Sequence, residues 1–335
     1  PGLLFALTGL VKQVTKDVLG DGSGQYGNYY AVVWAAHTFS GILAFLCAGV
    51  MSCFYTPAQG YPTFKKMVLR PSRSTLMNSL GLSVMCNACS WFWFLSIPMT
   101  DEVVNTVIYQ SCCVWCFLIS VVILKEKITV IKVVSTLATF AGVGMISSWP
   151  CVTTGADGKP NPPADSEYVL LGEMLCLLSA VTYALYEVLL KYVGCGHSDS
   201  NESAMQSAIS SLVFVGYLGA WNFFVLWLPL VPLHYSGFSP FQLPEASLVT
   251  PLLIDCALEG SYVVWIVVAI ALSNPLFVTI GTVLTIPASA CMDWVLHGIS
   301  CQILSLVGTG MVVLGFIGVN VAMLVEGKKG WPSWL

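Results

Sequence analysis

The chain has 335 residues, 56% of them hydrophobic and only 9% charged, with 13 Lys and Arg against 17 Asp and Glu for a net charge of −4. Soluble domains carry about 25% charged residues, so this composition cannot cover a water-facing surface. The scarcity of basic residues also excludes a nucleic-acid-binding surface.

The apolar residues fall in blocks of roughly 20, the length that crosses the bilayer core as helix. They do not alternate apolar with polar, as membrane β-strands do. Ten spans are predicted, over residues 2–19, 29–54, 75–97, 103–124, 128–149, 169–193, 205–231, 251–273, 275–297 and 301–325. The first is interrupted by Lys12, Lys16 and Asp17, and is retained because it aligns with the sixth. Pro1 is not an initiator methionine, so a leading segment is expected upstream. Most of the 13 cysteines, among them Cys86, Cys112, Cys113, Cys116, Cys176, Cys256 and Cys291, lie inside apolar blocks and read as small apolar residues. Cys86-Asn87-Ala88-Cys89 has redox-motif spacing but lacks the βαβ context such a motif needs.

The chain repeats itself. Lys125-Glu126-Lys127 joins two apolar blocks, and Leu296-His297-Gly298-Ile299 does so again about 171 residues later. The same offset aligns Thr8-Gly9-Leu10-Val11 with Ser179-Ala180-Val181-Thr182, and Gly144 with Gly315. A shift of about 174 places Trp91 on Trp265 and Thr100 on Asn274. The expected organisation is a first five-helix repeat at 1–150, a Gly-, Asp-, Pro- and Asn-rich linker at 151–167, a second repeat at 168–326 and a tail at 327–335. Lys65, Lys66, Arg70, Arg73, Lys125, Lys127, Lys132, Lys191, Lys328 and Lys329 then share one face, which is expected to be cytosolic together with both termini. Asp101, Glu102, Asp157, Asp165 and Glu167 mark the other face. An odd number of spans per repeat makes the two copies inverted. The fold class is an all-α membrane protein of ten transmembrane helices in two inverted five-helix repeats.

Leu124-Lys125-Glu126-Lys127-Ile128 followed by Gly142-Val143-Gly144 resembles the end of a drug/metabolite transporter (EamA-type) repeat. Gly172 to Lys191, containing Leu178-Ser179-Ala180-Val181-Thr182-Tyr183-Ala184-Leu185-Tyr186, is similar to the opening of the second repeat in solute carrier family 35, subfamily F. Ser273-Asn274-Pro275-Leu276 through Leu284-Thr285-Ile286-Pro287 to Asp293 resembles that subfamily's ninth helix. The resemblance implies that helices one to four and six to nine enclose a central cavity, with helices five and ten outside. The family includes nucleotide-sugar carriers, and proteins resembling this subfamily have been linked to thiamine transport. His297 departs from the charged pattern of the first joint.

Ionisable groups inside a membrane are costly and mark a pathway or a buried pair. Lys12 and Lys16 share one face of the first span, Asp255, Glu259 and Tyr262 a face of the eighth, and Tyr183, Tyr186 and Glu187 a face of the sixth. These eight residues are the candidates for a substrate or proton pathway. Asn78, Asn87 and Asp293 are secondary candidates. The plainer reading pairs Lys12 or Lys16 with Asp255 or Glu259 as an internal salt bridge, and a gate is often such a bridge that opens. Glu126 reads as a cytosolic turn or as the residue that orients the joint. His37, like Asn78 and Asn87, suits an interhelical hydrogen bond. Trp91, Trp93 and Trp265 suit interface anchoring or stacking on an aromatic solute.

No nucleophile elbow, phosphate-cradling loop or metal spacing is present, so neither an enzyme nor a cofactor or metal is expected. The expected function is secondary transport of a small polar organic solute by alternating access, coupled to protons or a counter-substrate, in an endomembrane or the plasma membrane. A homodimer is a further candidate assembly. Acids outnumber the two lysines within the spans, which favours a cationic or neutral, thiamine-like solute. A nucleotide-sugar or other organic-anion exchanger is the alternative, and a non-transporting membrane receptor or scaffold is the alternative of another class.

Overall fold

In the computed structural model, which describes residues 28–55, 62–100, 102–148, 168–194, 204–237, 241, 243–244, 246–272, 275–284 and 303–327, every regular element is helical. The first predicted span, most of the ninth beyond residue 284, the second joint, the linker and the tail lie outside the described residues. Helix α1 (Tyr29–Cys53) is followed by a short α2 (Phe64–Leu69), α3 (Arg73–Ser96), α4 (Glu102–Gln110), α5 (Cys112–Ile123) and α6 (Val130–Ser148). The later part holds α7 (Val169–Leu189), α8 (Ala204–Phe224), a short α9 (Leu230–Tyr235), α10 (Ala246–Leu272), α11 (Pro275–Val283) and α12 (Ile303–Gly327). Six of these helices are long and apolar enough to cross a membrane, and α5 and α6 contain shorter apolar stretches. Exposed apolar stripes at helical spacing, such as Ile42, Leu46 and Val50 on α1, suit contact with lipid.

Helix boundaries follow local chemistry. Asn28 caps α1, its side-chain oxygen accepting from the Ala31 N–H at 2.9 Å, and Ser72 does the same for α3 through the Thr75 N–H at 3.0 Å. The end of α3 tightens into a 3₁₀ turn at Ile97–Met99, where Pro98 removes a donor. The predicted span at 205–231 ends earlier, at Phe224, ahead of Pro229; α9 is a separate short helix with Pro232 in its first turn. The predicted fourth span is two helices meeting at Ser111. The sixth span ends in a wider π turn at Leu190–Gly194. There the Lys191 ammonium donates to the carbonyls of Ile270 and Ala271 at 3.0 and 2.9 Å, capping the C-terminus of α10.

The chain forms two compact units, each drawn from both halves of the sequence. One comprises Leu10–Trp91 and Leu189–Asn274. Its centre is the antiparallel pair α1 and α8: the Tyr30 hydroxyl donates to the Leu226 carbonyl at 2.8 Å, the Trp34 indole to the Asn222 carbonyl at 2.9 Å, and Phe45 packs on Gly216. Where the two helices cross, Gly41 and Gly219 meet reciprocally, and a Cβ on either would collide with the other's backbone. Helix α10 joins them through Gly260, where an added Cβ would lie 2.8 Å from the Phe39 ring.

The other unit comprises Pro1–Gly9, Phe92–Val188 and Pro275–Leu335. Its antiparallel pair is α6 and α12, again with a reciprocal glycine contact: a Cβ on Gly142 would lie 2.6 Å from the Gly308 carbonyl, and one on Gly308 would lie 2.7 Å from that of Gly142. Gly315 and Gly318 let the same pair approach along Ser135 and Thr139. Cys113 and Phe117 of α5, Leu276 and Ile280 of α11 and Val319 of α12 form one buried cluster. Gly144 and Gly310 face open space, so Gly142 and Gly308 make the contact in their motifs.

At the α5–α6 joint, Lys125 adopts the left-handed conformation (φ 55°), and the Glu126 N–H reaches back to the Ser120 carbonyl. The turn carries Glu126 onto Lys132, whose ammonium lies 3.1 Å from Oε2 and which is only 1% exposed. Lys132 is thus the buried half of an ion pair. Removing the acid strands a buried ammonium, so Glu126→Ala is expected to cost about 3 kcal/mol, and adding Lys132→Met should recover most of it. Thermal denaturation in detergent measures both, and an unchanged single mutant would refute the pairing.

Candidate functional site

The unit holding α4 to α7 and α11 contains the described residues with the clearest potential for chemistry. Glu187, near the end of α7, is fully buried. Its Oε2 is 2.5 Å from the Thr279 hydroxyl of α11, and its Oε1 has no hydrogen-bond partner among the described residues. Thr279 is also fully buried, and its hydroxyl lies 2.8 Å from the Pro275 carbonyl. Cys116 of α5 packs against Ala184 and Val188, on either side of Glu187 along α7. A desolvated carboxyl without a described cation beside it is costly unless it is neutral or meets a ligand.

A row of aromatic rings runs along the same unit to the turn of α7 that carries this carboxyl. Trp93, at the end of α3, lies 5.8 Å from Tyr109 of α4 between ring centroids. Tyr109 lies 6.0 Å from Tyr183, and Tyr183 lies 6.4 Å from Tyr186 on α7. The rings are tilted to one another by 48°, 36° and 31°. The row follows from helical spacing, because positions 183, 186 and 187 fall on adjoining parts of one face. The start of α7 reaches α3 and α4 closely: a Cβ on Gly172 would lie 2.6 Å from that of Met99, and the Cys176 thiol donates to the Asn105 carbonyl at 3.3 Å.

The structure thus brings Tyr183, Tyr186 and Glu187 together and adds Tyr109, Thr279 and Trp93. Glu259 and Tyr262 lie on α10 in the other unit, both half-buried and both with interactions of their own. Asp255 is on the same helix, with its side chain outside the description. Lys12, Lys16 and Asp293 lie outside the described residues. Asn78 serves its own helix, its amide donating to the Ser74 hydroxyl at 3.3 Å. Asn87 is buried and donates to the Ser83 carbonyl at 2.9 Å, leaving its Oδ1 without a hydrogen-bond partner among the described residues. The imidazole Nε2 of His37 lies 3.4 Å from the Ser90 hydroxyl, an α1–α3 contact of the kind expected for it. Trp91 packs edge-on against Tyr30, whereas Trp265 is nearly half exposed. Tyr109 and Thr279 carried no sequence signal beyond being polar groups in apolar helices.

No family model matches the chain. It is 27% identical over 251 residues to "Uncharacterized transporter C405.03c" of Schizosaccharomyces pombe, a match that takes in 74% of this chain and 69% of that protein. It is 24% identical over 234 residues to "Solute carrier family 35 member F3" of Homo sapiens, covering 67% of this chain and 47% of that one. A protein solved by crystallography superposes with a TM-score of 0.61 over 96% of this chain and 94% of its own, at 12% identity. That likeness is one of fold alone.

Proposed function

Starting from the relationship of this chain to subfamily F of solute carrier family 35, we propose that it is a membrane transporter that moves a small polar organic solute by alternating access. The observation that carries the reading is an aromatic row on the same helix turn as a fully buried carboxyl. Ring faces attract flat cations, and a desolvated carboxylate completes such a site. A thiamine-like cation or a neutral aromatic solute fits this inventory, and the carboxyl can alternately hold a proton.

An anionic solute would need several free cations. Of the described lysines in or at the ends of the apolar spans, the buried Lys132 is held by Glu126, and Lys191 caps α10. This balance supports a cation over a nucleotide-sugar. The antiparallel packing of α1 on α8 and of α6 on α12 supports the inverted arrangement, because these are the helices that the sequence repeat makes equivalent. We take the protein to have ten spans, with both termini cytosolic.

The test is uptake into proteoliposomes of thiamine, a nucleotide-sugar and a simple amine, each with and without a pH gradient. Thiamine uptake that responds to the gradient is expected. Exchange of nucleotide-sugar without thiamine uptake would reverse the choice of solute, and no uptake of any probe would favour a receptor or scaffold.

A further inference from the structure

The short helix α2 and the turn after it carry a basic patch on the unit that holds α1 and α8. Lys65, Lys66, Arg70 and Arg73 fall within nine residues, and the chain has no Asp or Glu between Asp21 and Asp101. All four side chains are exposed, and among the described residues none of them makes an ion pair or a hydrogen bond. We propose that this patch binds the phosphate-bearing headgroup of an anionic lipid.

The position of the patch places it where headgroups lie. Helices α1 and α3 are both long and apolar enough to cross a membrane, and α2 belongs to the segment that joins them. Along α2 two faces separate: Phe64, Met67 and Val68 are half-buried, whereas Lys65, Lys66 and Leu69 are exposed. The inner face is held by the transmembrane helices. The Tyr217 hydroxyl of α8 lies 2.9 and 2.8 Å from the Met67 and Val68 carbonyls, and Ser210 donates to the Met67 sulfur at 3.7 Å. On α1, a Cβ added to Gly49 would lie 3.6 Å from the Phe64 ring. The Arg70 N–H donates to the Lys66 carbonyl at 3.0 Å, which keeps Arg70 one turn from Lys66. Past the turn, the Trp221 indole of α8 donates to the Leu76 carbonyl at 3.1 Å and fixes the start of α3. The four cations therefore stand on a platform tied to α1 and α8.

The neighbours of the cations select a lipid over a free phosphate. Leu69 is exposed beside Arg70, and Met77 is exposed one turn along α3 from Arg73. A soluble anion gains nothing from such apolar side chains. A lipid offers acyl chains to them while its phosphate lies level with the cations. The guanidinium forks of Arg70 and Arg73 match phosphate oxygens, and the lysines add point charges. Each cation strengthens attachment to an anionic bilayer surface by about fivefold. If these residues served only to orient the segment during insertion, the mature protein would hold no lipid there.

The experiment is native mass spectrometry of the full-length protein, titrated with phosphatidylserine or phosphatidylcholine of identical acyl chains. The native protein should bind phosphatidylserine about tenfold or more tightly than phosphatidylcholine. Lys65→Gln, Lys66→Gln, Arg70→Gln and Arg73→Gln combined should abolish that preference. Lys125→Gln, Lys127→Gln, Lys328→Gln and Lys329→Gln combined remove the same charge elsewhere and should preserve it. No preference in the native protein, an unchanged preference in the first variant, or equal loss in both variants overturns the site. Glycerophosphoserine, the same headgroup without acyl chains, should compete about tenfold or more weakly than the lipid. Equal competition would make this a site for soluble phosphates and overturn the lipid assignment. If the first variant does not fold, salt decides: the native preference should weaken roughly tenfold between about 50 and 500 mM ammonium acetate, and a salt-independent preference overturns the proposal.

Discussion

Replacing Glu187 by Gln should leave a folded protein whose thiamine uptake is about 10–100-fold slower than that of the native chain. The expected size comes from a charge-assisted hydrogen bond worth about 1.5–3 kcal/mol, which corresponds to one to two powers of ten. Glutamine has nearly the same shape and can still bond to Thr279, so packing against Cys116, Ala184 and Val188 should persist. It cannot release or accept a proton in the native range, and it cannot neutralise a cation. A purely structural carboxyl makes the opposite forecast, because a neutral isostere of a buried charge is often neutral or stabilising. Uptake and thermal midpoint must therefore be measured on the same preparation. Native uptake with an unchanged pH response would reduce Glu187 to a packing residue.

The second large effect belongs to the α1–α8 crossing. Gly41→Leu should lower stability by about 3 kcal/mol or more, because no rotamer removes a Cβ that overlaps the backbone at Gly219. The helices would have to separate, straining the Tyr30 and Trp34 hydrogen bonds that tie them together. A fall of roughly 10 °C in the thermal midpoint is expected. Gly81→Ala and Gly144→Ala provide the contrast, since both positions open onto free space. Those two should hold or raise the midpoint, by about 0.5–1 kcal/mol of helix propensity at most. If Gly41→Leu matched them, the crossing would be misplaced.

The helices were largely legible because span length and apolar composition are properties of a continuous stretch. Tyr29–Cys53 and Val130–Ser148 lie within one or two residues of their predicted bounds. The breaks were less legible. Ser111 interrupts α4 and α5 without glycine or proline, and the π turn after Leu189 has no local signature. Glu187, Tyr183 and Tyr186 could be singled out because polar groups in an apolar helix stand out at helical spacing. Tyr109 and Thr279 could not, since their significance depends on which helix packs beside them. The pairing of Lys132 with Glu126 has no sequence signature; it depends on the left-handed turn at Lys125 that folds Glu126 back to meet it. The repeat aligns Gly144 with Gly315, yet Gly315 meets the partner helix while Gly144 opens onto free space, and on α6 the contact is made by Gly142. Sequence alignment gives the period of a motif but not which of its neighbouring glycines faces the partner.

The pairing of early helices with late ones sets a timetable for biosynthesis. Helix α6 ends at Ser148, but its partner α12 does not begin until Ile303. Helix α1 ends at Cys53 and waits in the same way for Ala204, where α8 begins. At about 5–20 residues per second, each delay lasts roughly 10–30 s. Throughout that interval the glycine faces of α1 and α6 are without their partners, and the nascent chain depends on lipid or on the insertion machinery to keep those surfaces from pairing wrongly. The α6–α12 pairing thus cannot form until α12 has emerged from the ribosome.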